Sequence, residues 1–214
     1  VIGKEAKGQH FDMEKKEPDL VGITSTTPSF SEACRVARAV KSWNAECTVV
    51  MGGSHFSFED LSTIRKPFVD IVVRGEGELT IPELVKSLQE DEPPTNVSGI
   101  TYKEGDVIRR NPDRPFIKNL DGLFVSYHKL PMERYRFEGK NHATIVSSRG
   151  CPFGCIFCSS SSLHGKMWRS QSAGRVVKEI RFLVSEYGVK HIEFLDDLFT
   201  LNQRRVEEIC SLLI

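Results

Sequence analysis

The chain has 214 residues, 39% hydrophobic and 27% charged, the balance of an ordinary globular protein. Lys plus Arg and Asp plus Glu each total 29, so the formal net charge is zero and no overall nucleic-acid footprint is present. No apolar run approaches the roughly 18 residues of a membrane span, and six cysteines in a chain this long are too few for a disulfide scaffold. With no signal-peptide pattern from Val1 onward, the expected compartment is the cytoplasm. Both ends read as cut: the sequence opens inside a strand-like run and closes on the apolar helix face "EEICSLLI" without a cap, as a piece of a longer protein would.

In chain order, "DLVGITS" (19–25), "CTVVMGG" (47–53) and "DIVVRG" (70–75) are short apolar runs ending in Gly or Ser, as strands of a parallel sheet do. Between the first two, Ala33, Val36, Ala37, Val40 and Trp43 recur at helical spacing, with Ser29 or Ser31 as N-cap. After the third, "TIPE" (80–83) combines a capping box with Pro near the first turn of a helix carrying Leu84, Val85 and Leu88. This predicts a doubly wound α/β domain over residues 1–92, in which ligands sit outside the carboxyl ends of the strands. Three loops lie there. Ser25, Thr26 and Thr27 offer hydroxyls; Gly52 and Gly53 let a bulky ligand approach the backbone; Gly75 does the same beside Glu76. Each loop alone is only a turn, but three on one sheet edge make a site.

Residues 93–140 read as a hairpin, "GITY" then "VIRR" turning at "KEGD", followed by a Pro- and Asp-rich linker. From 141 the βα rhythm returns. "ATIVSS" is a strand; Val176, Val177, Ile180, Leu183, Val184 and Tyr187 form a helix stripe; "HIEFLDD" (191–197) is the next strand and 202–214 the next helix. Two such units do not close a fold, so they read as the opening of a larger barrel or sheet.

Between the strand and helix of the first unit stands "RGCPFGCIFCSSS", with Cys151, Cys155 and Cys158 spaced Cys-x3-Cys-x2-Cys. Three thiols in one short loop cannot all pair with each other. A zinc site would need a fourth ligand, and His164 or Cys210 are the candidates, though neither belongs to a second paired knuckle. Three thiolates also suit an iron–sulfur cubane that keeps one iron open, since such clusters otherwise take four cysteines.

Cys151-Pro-Phe-Gly-Cys155-Ile-Phe157-Cys158, directly after a strand, resembles the signature loop of the radical S-adenosylmethionine (SAM) superfamily. The resemblance implies that Cys151, Cys155 and Cys158 hold a [4Fe–4S] cluster whose open iron chelates SAM, with the backbone around Phe157 near the adenine. Packing is the plainer role for Phe157. The resemblance also implies an acidic contact to the SAM amino group at the end of the next strand. Here "FLDDLF" replaces the usual Gly-Gly-Glu, making Asp196 and Asp197 the candidates; from the residues alone, such a pair caps a helix.

"PDLVGITSTTPSF", "VVMGGSHFS" and "VDIVVRGEGE" resemble the cobalamin-binding domain of a subgroup that includes methyltransferases and the anaerobic magnesium-protoporphyrin cyclase. The three loops would then surround the corrin and its nucleotide tail. His55 is expected near the corrin but not on cobalt, because the DxHxxG loop of cobalt-ligating relatives is absent from "VIGKEAKGQH". The fold implied is a partial Rossmann-like cobalamin domain followed by the first βα units of a radical SAM partial barrel. The activity implied is reductive SAM cleavage, giving a 5′-deoxyadenosyl radical, with cobalamin delivering a methyl group to an unreactive carbon. A cyclase-type rearrangement is the alternative within that class, and a non-catalytic cobalamin-binding or redox-sensing module the alternative outside it. The implied partners are a small-molecule substrate and a reductant such as flavodoxin or ferredoxin. The fragment by itself is expected to be inactive.

Overall fold

Three β-branched runs build the parallel part of the first sheet. β1 (Leu20–Thr24), β2 (Thr48–Gly52) and β3 (Ile71–Val73) pair in parallel in that order. The structure is a computed structural model, and it describes residues 16–214; His10 and the strand-like start of the sequence lie outside the described residues. Val49, Met51 and Val72 are wholly buried, each contributing roughly 1.5–3 kcal/mol through burial. Helix α1 (Phe30–Trp43) links β1 to β2 and buries Ala33, Val36, Ala37 and Val40 as its spacing predicts, together with Cys34. Two five-residue helices, α2 (Ser54–Phe58) and α3 (Asp60–Ile64), lead from β2 to β3. Among the described strands the order never reverses, so the site edge is made by carboxyl ends of neighbouring parallel strands and not by a switch-point crevice.

Two expectations change here. Helix α4 (Gly77–Gln89) begins one turn before "TIPE", which places Thr80 and Pro82 inside it. Thr80 is buried, and its hydroxyl accepts from Arg114 Nε at 2.8 Å and donates back to the Glu76 carbonyl at 3.4 Å. A tertiary contact takes the hydroxyl that a capping box would have used. The hairpin, β4 (Ile100–Glu104) and β5 (Val107–Arg110), is not part of a separate segment: β4 pairs antiparallel with β3 and extends the sheet to five strands.

A buried polar network fastens it there. Arg74 donates to Thr101, to the Asn111 carbonyl (2.6 Å) and to Asp113 (3.0 Å), while Asp60 accepts from Thr101 (2.6 Å) and Arg110 (2.9 Å). The chain therefore divides between Phe116 and Ile117, and not at 92 and 140.

The second unit has its own core. Single turns around Leu120, Tyr127 and Met132 precede a short β6 (Arg136–Phe137), which pairs with β7 (Lys140–Ile145). β7 ends three residues before "ATIVSS" does, and the chain resumes as β8 (Ser148–Arg149). The cysteine segment contains the short α5 (Ser160–His164) and returns through β9 (Arg169–Ser170), antiparallel to β8. Helix α6 (Ala173–Tyr187) is capped by the Ser172 hydroxyl at one end and by left-handed Gly188 at the other. β10 (His191–Phe194) lies parallel to β7, and α7 (Gln203–Leu213) follows. The turns of the expected linker pack into this unit: Tyr127 and Met132 join its core, and buried Glu179 accepts from the Tyr127 hydroxyl and pairs with Arg175 at 2.9 Å. Burial, and then the Glu179 carboxylate, push the Tyr127 phenol well above its ordinary pKa.

Candidate functional site

The three loops of the first unit do meet at the carboxyl ends of β1, β2 and β3. Ser25 follows β1; its N–H donates to the Gly52 carbonyl at 3.3 Å, and its buried hydroxyl has no hydrogen-bond partner. Thr27 Oγ1 lies 3.1 Å from His55 Nδ1, and the His55 ring packs on Phe30 with centroids 4.1 Å apart. This contact joins the first loop to the second and gives His55 a positioning role at the site edge. Thr26 is occupied by its own turn: its N–H donates to Ser29 Oγ, which in turn donates to the Thr26 carbonyl, both at 3.2 Å.

The glycines differ in what an added Cβ would meet. A Cβ on Gly53, whose φ is +107°, would stand 2.6 Å from Thr24 Oγ1 and 3.1 Å from the Ser25 carbonyl. One on Gly52 would meet Val73 at 3.6 Å. The smallness of Gly53 lets the first two loops close against each other, while the Gly52 distance is an ordinary contact. Gly75 is the glycine beside open space, with φ of +67° and nothing within 4 Å of an added Cβ. Its N–H donates to Ser57 Oγ at 2.9 Å, and buried Glu76 begins α4 as its N-cap residue.

In the second unit, the β8–β9 ribbon closes the base of the cysteine loop. Gly150 is indispensable there: φ is +82°, and a Cβ would lie 2.3 Å from the Met167 carbonyl. Cys151 is half-buried, Cys155 and Cys158 are exposed, and all three are free thiols. Cys158 N–H closes a turn on the Cys155 carbonyl at 3.1 Å. Phe157 is 89% exposed, so it does not play the packing role. Among the described residues no three His, Cys, Asp or Glu side chains are gathered closely enough to hold a metal ion, so neither the cubane set nor a zinc set with His164 or Cys210 is assembled.

The two acids after β10 separate cleanly. Asp196 is tied inward: it accepts from the Ser147 N–H at 3.2 Å and hydroxyl at 2.9 Å, and from the Ser148 hydroxyl. Buried Arg205 braces the same corner, donating to the Gln171 carbonyl at 2.8 Å and to Ser147 Oγ at 2.7 Å. Burial pulls the Arg205 pKa below its ordinary value, with Asp196 opposing. Asp197 is exposed and accepts from Ser160 Oγ, at the start of α5 just beyond Cys158.

A family model for the B12 binding domain matches residues 12–85. An uncharacterized methyltransferase of Pyrococcus horikoshii is 47% identical over 199 residues, covering 92% of this chain and 43% of that protein. The anaerobic magnesium-protoporphyrin IX monomethyl ester cyclase of Cereibacter sphaeroides is 31% identical over 211 residues, 94% of this chain and 34% of its own length. The cobalamin-dependent SAM radical enzyme OxsB, solved with aqua-cobalamin and SAM, superposes on 94% of this chain and 29% of its own with a TM-score of 0.71. At 21% identity that likeness is one of fold. The chain is a B12-binding-domain protein related to cobalamin-dependent radical SAM enzymes. It spans less than half the length of these relatives.

All three loops fall inside the matched B12-binding domain, and the match ends within α4, before the hairpin. The edge fits a large polar ligand: Ser25 offers an orphaned buried hydroxyl, and Gly75 borders open space. The cysteine loop fits an iron–sulfur group by donor chemistry, three soft free thiols within one loop. Ser57, Arg74, Ser147, Ser160 and Arg205 were invisible as site residues in the sequence. The partners that place them lie 18 to 58 positions away in the chain, which the local runs do not reveal.

Proposed function

We propose that this chain is the cofactor-binding portion of a cobalamin-dependent radical SAM enzyme that methylates an unreactive carbon. One observation carries the reading: a loop of three free thiols follows β7 and β8, and exposed Asp197 follows the neighbouring strand β10, in a chain that also holds a B12-binding domain. Cys151, Cys155 and Cys158 would hold a [4Fe–4S] cluster, Asp197 would meet the SAM amino group, and the Phe157 backbone would line the adenine. Ser25, Thr27, His55 and Gly75 would border the corrin and its tail; Thr26, Gly52, Gly53 and Glu76 would shape the loops. When bound, the cluster supplies the electron for reductive SAM cleavage and cobalamin supplies a methyl carrier. The protein's part is to carry the thiols on one loop, tether Asp197 to Ser160 just beyond that loop, and keep the three-loop edge in place. The identity to a cyclase over 94% of the chain supports a cyclase-type reaction as the second reading.

Anaerobic reconstitution with iron, sulfide and hydroxocobalamin tests this. The expected product carries iron and sulfide in the ratio of a cubane together with cobalt, and Cys158→Ala loses the iron while retaining the cobalt. Stoichiometric zinc without iron would overturn the cluster assignment. With the full-length protein under strong reductant, SAM should yield 5′-deoxyadenosine; none formed would leave a binding module.

A further inference from the structure

The hydrogen bonds around the B12 edge point to Ser57, the last residue of "VVMGGSHFS", which bridges two of the three loops. Ser57 lies on α2, four residues after Gly53. Its hydroxyl donates to the Gly53 carbonyl at 3.0 Å and accepts the Gly75 N–H at 2.9 Å. A hydroxyl has one proton and two lone pairs, so this geometry uses the proton on one loop and a lone pair on the next. Gly75 is exposed, and water would satisfy its N–H equally well. The bond to Ser57 is therefore not demanded by burial; what it does is fix where the third loop stands.

We propose that Ser57 is a positioning residue for cobalamin, locking the Gly52–Gly53 loop to the Gly75–Glu76 loop so that the edge is set before the ligand arrives. The inference rests on the B12-binding reading. The neighbouring connections show why one hydroxyl matters. The first and second loops are already joined twice, by Ser25 N–H to the Gly52 carbonyl and by Thr27 to His55. The third loop is held from its far side, where the Arg74 N–H donates to the Gly99 carbonyl at 2.8 Å and its guanidinium grips Asp113. Beyond the ends of β2 and β3, Ser57 closes the remaining gap. Gly75, at φ of +67° and with open space beside it, is the point that would drift without it. A pre-set loop spares the ordering cost that binding otherwise bears.

The test compares wild type with Ser57→Ala and Ser57→Thr. Hydroxocobalamin affinity is followed by absorbance, Gly75 amide exchange by NMR, and unfolding of the ligand-free protein by thermal melt. Ser57→Ala should raise Kd about five-fold, the effect of one hydrogen bond, and should speed Gly75 exchange while leaving the ligand-free melt in place. Ser57→Thr, which keeps the hydroxyl, should restore both. Equal affinity of wild type and Ser57→Ala would overturn the inference, as would an affinity loss matched by a lower ligand-free melt, the mark of a merely structural residue. Wild type that binds no hydroxocobalamin would overturn the B12 reading itself.

Discussion

Asp196 and Asp197 are adjacent, identical in chemistry and opposite in role. The sequence leaves them equivalent, because the groups that distinguish them come from elsewhere: Ser147 and Ser148 lie nearly fifty residues earlier, and Arg205 arrives from the following helix. Asp196 satisfies three donors at the junction of β7 with β8, so it maintains the strand end from which the cysteine loop departs. Asp197 is left with one hydroxyl partner and open surroundings. Asp196→Asn should therefore lower thermal stability by about 2 kcal/mol, the cost of weakening hydrogen bonds to a charged acceptor. Asp197→Asn should leave the melt unchanged and weaken SAM binding to the reconstituted protein by about ten-fold, read by equilibrium dialysis. A reversed pattern would exchange the two assignments. The same blindness applies to the glycines: their positions mark the turns, but only the neighbours of an added Cβ reveal that Gly53 accommodates Thr24 and Ser25 while Gly75 borders open space.

At the level of elements, the strands were legible because β-branched runs bounded by Gly and Ser say the same thing locally and globally. The start of helix α4 and the attachment of the correctly located hairpin to the first sheet were missed, because Arg114, Arg74 and Asp60 act through partners remote in sequence. Asp60 shows how firmly the hairpin is attached. Burial alone would raise its carboxyl pKa, yet hydrogen bonds from Thr101 and Arg110, with the charges of Arg110 and Arg74, more than offset that and hold it below the ordinary value. A carboxylate with a depressed folded-state pKa contributes its full stability above the unfolded-state value, about 3.9, and loses it as pH falls through the folded-state pKa. Asp60→Asn should accordingly cost about 3 kcal/mol near neutral pH, at the lower end for breaking a buried pair. The deficit should shrink as the acid limb below about pH 4 is entered. Parallel acid-unfolding curves for variant and wild type would show that Asp60 is not the group titrating.

For the whole molecule, the relevant fact is that each unit buries its own core. Val49, Met51 and Val72 belong to the first, and Ile145, Val176 and Leu183 to the second. The sequence made the two units visible through the return of the βα rhythm. It could not place the boundary, since the hairpin read as a separate segment pairs with β3 through Ile100–Tyr102, and the linker-like residues after it supply Tyr127 to the second core. Units with separate cores open as separate cooperative blocks. A ligand that binds only the folded form of one block stabilises that block by mass action, about 2.7 kcal/mol when present at a hundred times its Kd. Saturating hydroxocobalamin should thus slow amide exchange in β1, β2 and β3 strongly and leave β7, β10 and α6 near their ligand-free rates. Hydrogen-exchange mass spectrometry of the chain with and without hydroxocobalamin reads both units in one experiment. Equal protection in the two would mean that they unfold as one, and that the cobalamin edge and the cysteine loop share a single stability.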